Sequence, residues 1–218
     1  LAKDATTRAR VARLSALLSG DPVTVEGAVA LLRDRSTANT ADGGFGNRNA
    51  LAGDIAAHSV IFELGKRRAW VAAAPHTSGA YIPVDLEAVL ADDRGTSPLP
   101  APVVPAEPAL RSGELEAYFA ARRALLEGDA EEAVRLCPRF AEALALLGEE
   151  VAHRGDRARA RALLERALAM DPGPRSYRED LERLLAAVAG TGPLPERRLR
   201  RQLSPDELIR ASGVVDEP

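Results

Sequence analysis

The chain has 218 residues, of which 46% are apolar, 28% charged and only 4% aromatic, with a net charge of −3. That leaves room for a sizeable core built on Leu, Val and Ala, and it excludes a global attraction to nucleic acid or anionic lipid. A single cysteine, Cys137, excludes an intramolecular disulfide, and no apolar run approaches the roughly 20 residues of a membrane helix.

In chain order, residues 3–18 read as an amphipathic helix with Val11, Leu14, Leu17 and Leu18 on one stripe, stopped by SGDP at 19–22. Thr24 is placed to cap a second helix, Val25 to Arg33, with Val25, Val29 and Leu32 on one face. RSTANTADGGFGNRN, residues 35–49, is a loop. HSVIFEL (58–64) and RAWVAAA (68–74) have strand character, and the short GKR between them favours a hairpin. Alternation puts Val60 and Phe62 on one side of the first strand and Ser59, Ile61 and Glu63 on the other. Apolar residues on both sides predict a strand covered on both faces. The second strand is expected to lead through a loop into YIPVDL (81–86).

Five prolines between Pro98 and Pro108 mark residues 94–112 as an extended, semi-rigid linker without a packed core. Beyond it, GDAEEAVRLCP (128–138) and GDRARARALLERALAMDP (155–172) share a pattern. Their closing prolines, Pro138 and Pro172, lie 34 residues apart, as do Leu147 and Leu181. A 34-residue period of paired helices is the signature of tetratricopeptide repeats. From Ala141, the positions Leu147-Gly148, Val151, Gly155-Asp156, Ala160, Leu164, Ala167 and Asp171-Pro172 fit that pattern. The unit before it has a shortened second helix, Glu131 to Leu136, and the unit after it keeps one helix, Arg175 to Ala189. The plainer reading is a generic helical hairpin bundle. The tail is basic at Arg197, Arg198, Arg200 and Arg201, and SPDE (204–207) reads as a capping box opening a short last helix to Ala211.

Chemistry is sparse. Gly43, Gly44 and Gly46 do not make a phosphate cradle, because no strand precedes them, no Lys-Ser or Lys-Thr follows, and a strand rather than a helix comes next. No G-x-S-x-G elbow is present, and His58 and Ser59 would point to opposite faces of a strand. His58, His76 and His153 lack metal-ligand spacing, so neither metal nor cofactor is expected. Cys137 reads as a small core residue.

Four pieces, in this order and spacing, carry a resemblance: TVEGAVALLRD (24–34), AAHSVIFE (56–63), RAWVAAAPHTSGAY (68–81) and VDL (84–86). Together they resemble the C-terminal part of the penicillin-acyltransferase and carcinine-hydrolase-like family. These are self-processing N-terminal-nucleophile hydrolases with an αββα sandwich. The resemblance covers about residues 5–92, under half of the chain. It implies a nucleophilic N-terminal Cys freed by autoproteolysis, its own α-amine as base, and an oxyanion hole of Asn or backbone donors. Leu1 has no nucleophilic side chain and Cys137 lies outside the matched region, so the catalytic half is expected upstream. The only methionine, Met170, is internal, which fits a processed or trimmed piece. Within the matched region Arg48, Asn49 and His58, with Asn47, are the candidates for lining a site. The plainer roles are turn formation for Asn47 and Asn49, a hydrogen-bonded sheet residue for His58, and a solvated loop cation for Arg48.

The expectation is therefore an α+β chain. Residues 1–93 would be the C-terminal part of an αββα N-terminal-nucleophile sandwich, with a β-hairpin, and 94–112 a Pro-rich linker. Residues 113–190 would be tetratricopeptide-like helices and 191–218 a basic tail with a short helix. Its function would be that of the non-catalytic portion of a linear-amide hydrolase or acyltransferase, inactive alone. The alternative is a tetratricopeptide-type binding module without enzymatic activity. The partners implied are the upstream catalytic half and a peptide or protein at the helical repeats, with no nucleic acid and no membrane span.

Overall fold

A computed structural model describes residues 6–18, 23–53, 58–75, 77–91, 103–196 and 199. The first predicted helix is present as α1, Thr6–Leu17, but its apolar stripe is not buried: Val11, Leu14 and Leu18 are exposed. Arg13 ties this helix down through Asp34, at 2.7 Å. The Thr24 hydroxyl accepts the Gly27 N–H at 3.1 Å and so caps α2, Val25–Leu32, whose Val29 is sealed in the core.

The predicted hairpin forms. β1, Val60–Glu63, runs antiparallel to β2, Arg68–Ala72, around a 3-10 turn at Leu64–Lys66 that closes on Arg67 in the left-handed region. Beyond the expected loop, YIPVDL, to which the sequence assigns no element, contains a third strand, β3, Tyr81–Asp85, antiparallel to β2. Pro83 disguised it, since proline lacks the ladder N–H and argues against a strand. The sheet order is β1-β2-β3, so the hairpin is part of a three-stranded antiparallel sheet.

The register puts Ile61, Trp70 and Pro83 in one row, on the face that meets α2; Val29, Trp70, Tyr81 and Val104 form the small core there. The next row, Val60, Val71 and Ile82, points the other way. The expectation of a first strand covered on both faces fails here: Val60 is 40% and Phe62 61% exposed. α3, Leu86–Leu90, follows directly, capped by the Asp85 carboxylate, which accepts from the Glu87 and Ala88 N–H groups.

The described end of the expected linker, residues 103–112, is packed rather than free. Val104 bridges to Tyr81 with backbone bonds in both directions, at 2.9 and 3.1 Å. The Glu107 N–H donates to the Ser78 carbonyl at 2.8 Å, and Pro108–Arg111 form a short helix, α4, that packs on the next one. Proline composition favours an extended backbone, but says nothing about whether that backbone finds a sheet edge to bond, as at Val104, or opens a helix, as at Pro108.

The helical half follows the punctuation read from the sequence: α5 Glu114–Leu126, α6 Ala130–Leu136, α7 Ala141–His153, α8 Arg157–Ala169 and α9 Arg175–Ala189. Asp129 and Asp156 cap α6 and α8 through the N–H groups of Glu132 and Arg159. Neighbouring helices pack consecutively, most extensively α7 on α8. Gly148 makes that approach possible: a Cβ there would sit 2.9 Å from Leu164 Cγ. Ala160, Leu164, Ala167 and Leu181 are fully buried between the helices, and Cys137 is buried at the end of α6. The chain is thus α+β, with nothing among the described residues that supplies a second sheet. The tail beyond Leu199, with the expected capping box at 204–207, lies outside the described residues, as does His76. No described helix is long and apolar enough to cross a membrane.

Candidate functional site

The glycine-rich loop is where the sheet half meets the helical half. Asn47 is buried and its Nδ2 donates to the carbonyls of Gly43 (3.2 Å), Met170 (2.7 Å) and Asp171 (3.3 Å). Its Oδ1 accepts the Asn49 N–H at 2.9 Å, the local turn that asparagine favours. Asn49 Nδ2 donates to the Asp171 carbonyl as well, at 3.2 Å. The Asp171 carboxylate accepts from the Thr37 hydroxyl at 2.6 Å and pairs with Arg178 at 2.5 Å. The Asn47 side chain therefore shapes the turn, and both asparagines bond to the α8–α9 connection. Gly44 needs to be glycine: its φ is +74°, and a Cβ would collide with the Arg139 carbonyl and Met170 Cε.

Phe45 carries the apolar side of the same contact. Its ring stacks on Tyr118 of α5, with centroids 5.3 Å apart, and Tyr118 meets Phe140 edge-on at 5.2 Å. Arg35 also lies over the Phe45 ring, 4.2 Å from its centroid. The Arg35 fork also grips both carboxylate oxygens of Glu107, one at 2.7 Å, and Ser78 donates to Glu107 at 2.8 Å. Arg33 closes the arrangement by donating to the carbonyls of Thr77 (3.1 Å), Gly79 (2.9 Å) and Pro105 (2.9 Å).

An open cleft of about 440 Å³ lies along this junction, lined by Arg33, Arg35, Asp42, Phe45, Glu114 and Arg139. Its charges are largely matched within the chain: Arg139 pairs with Asp42 at 2.6 Å, and Arg35 with Glu107. Burial would raise the carboxyls of Glu107 and Asp34, but bonds from Arg35 and Ser78 to the first, and from Arg13 and Ser36 to the second, hold both below their ordinary values. Both stay ionised and engaged, which suits a structural clasp and not a general base. Burial pushes the Cys137 thiol up, away from nucleophilic chemistry.

The residues proposed from sequence to line a site are not gathered at one point of chemistry. Asn49 serves the junction. Arg48 is half-buried beside a cavity of only about 20 Å³ that Phe45, Phe140 and Glu142 help to line. His58 is exposed just ahead of β1. No group of His, Cys, Asp and Glu among the described residues has the arrangement of a metal site.

A second polar cluster lies on the helical half. Tyr177 of α9 is 6% exposed, and its hydroxyl has no hydrogen-bond partner among the described residues. Burial, with the charges of Glu142, Glu149 and Asp180 nearby, pushes the phenol well up. Glu149 of α7, also 6% exposed, accepts the Leu199 N–H at 3.4 Å. Neither cluster was singled out in the sequence. Arg33 and Arg35 belong to no motif that points to a partner, and Glu107 sits among prolines. A glutamate on the apolar face of α7 was the available signal for Glu149.

Comparison with known proteins returns no matching family model, no similar curated protein and no similar solved structure.

Proposed function

We propose that this chain is the non-catalytic C-terminal portion of a self-processing linear-amide hydrolase or acyltransferase, whose nucleophilic Cys lies upstream and whose remaining sheet packs on the open face described above. The observation that carries this reading is that face. Val60, Phe62, Val71 and Ile82 are 36–61% exposed on a sheet whose other side is sealed. A sheet with apolar residues on both sides is a middle layer, and contiguous exposed apolar surface marks an interface. The αββα order implied by the sequence resemblance supplies the missing layer from upstream residues.

The tests are direct. The purified chain should show no turnover of amides or β-alanyl amides, and turnover that survives Cys137→Ala would sink the reading. A longer protein carrying the upstream sequence should cleave itself to expose a Cys, seen by mass spectrometry. Phe62→Asp should then separate the two pieces on a sizing column. Co-purification undisturbed by that change would place the interface elsewhere.

A second reading, a tetratricopeptide-type peptide-binding module, is favoured by a different observation: beyond α9, Leu194 and Leu199 pack against the helical core, and the Leu199 N–H donates to Glu149 of α7.

A further inference from the structure

The two edges of the sheet are finished differently. The Ala72 N–H donates to the Ser59 carbonyl at 2.9 Å, and the Ala73 N–H to the Ala80 carbonyl at 2.8 Å. Bonded and non-bonded pairs alternate along an antiparallel ladder. With the observed registers, Ile61 and Glu63 therefore turn their backbone groups toward β2, while Val60 and Phe62 turn theirs outward. On β3 the same alternation turns Tyr81 and Pro83 outward. That edge is closed: Tyr81 and Val104 bond in both directions, and Pro83 has no N–H to offer.

The outer edge of β1 has no such closure. β1 is the last strand of the sheet on its side, and no described residue takes the outward N–H and carbonyl groups of Val60 and Phe62. The side chains of both are exposed as well. Open edges are commonly blunted by proline, a bulge or a free charge. β1 contains no proline, and its register shows no bulge. Its one charge, Glu63, is held by Lys66 at 2.6 Å and by the Trp70 indole at 3.3 Å.

This edge is complementary to itself. An antiparallel copy of β1, turned about a two-fold axis at Ile61, sets Val60 opposite Phe62 of the second copy and Phe62 opposite Val60. Both rungs are then bonded pairs, and apolar side chains meet on the open face. Ile61 faces its own copy, and Glu63 falls opposite Ser59, so no like charges are opposed. We propose that β1 is a self-association edge, at which two copies of this chain pair antiparallel through Val60 and Phe62 into one continuous sheet. The pairing uses the edge and leaves the open face to another layer, so it does not rest on the amide-hydrolase reading.

The experiment uses the full chain. Light scattering over a concentration series should show wild type approaching twice the monomer mass. Val60→Pro removes an N–H that points away from β2, so the β1–β2 ladder stays whole. Checked for native helix content, it should weaken association at least about tenfold. Val71→Asp, on the open face of the middle strand, lies away from the edge and should leave the dimer in place. Oxidation in a Cys137→Ala background reads the register. Opposed residues of a non-bonded pair have Cα atoms about 4.5 Å apart, within disulfide range, so Ile61→Cys should cross-link to its copy. Leu64→Cys is at a more exposed position but would lie opposite His58, and should cross-link far less. A wild-type chain that stays monomeric throughout the series overturns the pairing, as does cross-linking at Leu64→Cys equal to that at Ile61→Cys. A dimer that Val71→Asp dissociates and Val60→Pro leaves intact would mean that the open faces stack instead, and the edge proposal fails. Should Val60→Pro not fold, the cross-linking contrast decides alone.

Discussion

The helical half and the sheet half solve the problem of burial in opposite ways. From α5 to α9 each helix covers the one before it, so Leu144, Leu147, Leu164 and Leu181 are all sealed by near neighbours in sequence. The sheet half has one small core, around Val29, Trp70, Tyr81 and Val104, and leaves its other face open. Consecutive helical hairpins close a core with local material, whereas an antiparallel sheet can pack one face and leave the other exposed. The helical core is therefore built from near neighbours in sequence, while the sheet's core draws on residues as far apart as Val29 and Val104.

The largest expected effect tests the denser side. Leu164→Ala removes a fully buried side chain that also fills the space under Gly148, and should cost about 2–5 kcal/mol in urea melts followed by helix signal. Overpacking at the same seam comes next: Ala160→Leu should cost about 1–3 kcal/mol. Should either variant melt with the wild type, the helical half is looser than the contrast requires.

Between the halves, acid should act through Glu107. Its carboxyl is held below the ordinary 4.5 by Arg35 and Ser78 against the opposing effect of burial. The stability from this pairing is fully present above pH 4.5 and is lost as pH falls through the lower folded-state value. Glu107→Gln should therefore lower the urea midpoint at pH 7 and narrow its gap from wild type as the pH approaches 3. A constant gap across that range would remove Glu107 from the acid response.

The smallest effects belong to the exposed positions. Ala158→Leu, on the solvent side of α8, and Phe62→Ala, on the open sheet face, should each change stability by no more than about half a kcal/mol. A large loss from Phe62→Ala would mean that the open face is covered within this chain. Amide exchange sharpens the same contrast without mutation: α7 and α8 should exchange only by global unfolding, and β1 much sooner.

The helices were legible because their signals are local. Gly128-Asp129, Pro138, Gly155-Asp156 and Pro172 each end or cap a helix by chemistry that acts within a few residues, and the breaks fall where those residues stand. Thr24 gave the start of α2 for the same reason. β3 was not legible, because its evidence is non-local: Pro83 argues against a strand until β2 and Val104 are in place on either side. The junction was hidden in the same way. Asn47 reads as a turn former, and it does form the turn, but its bonds to Met170 and Asp171 cross more than a hundred residues of sequence. Arg35 and Glu107 are likewise far apart in the chain, and neither carries a pattern that points to the other.

The bridge between Tyr81 and Val104 has a consequence for how this molecule comes apart. Tyr81 and Val104 belong to opposite sides of residues 92–102, as do Arg35 and Glu107 and the loop that holds the α8–α9 turn. A protease cut anywhere in 92–102 would break one peptide bond and leave all of these contacts intact. The nicked protein should migrate on a native gel as a single species and split only in denaturant. For grafting or circular permutation, the unit that must travel together runs from Val23 through the end of α9, and the 92–102 segment is the place to open the chain, because the Tyr81–Val104 bridge and the Arg35–Glu107 pair would still join what lies on either side of the cut.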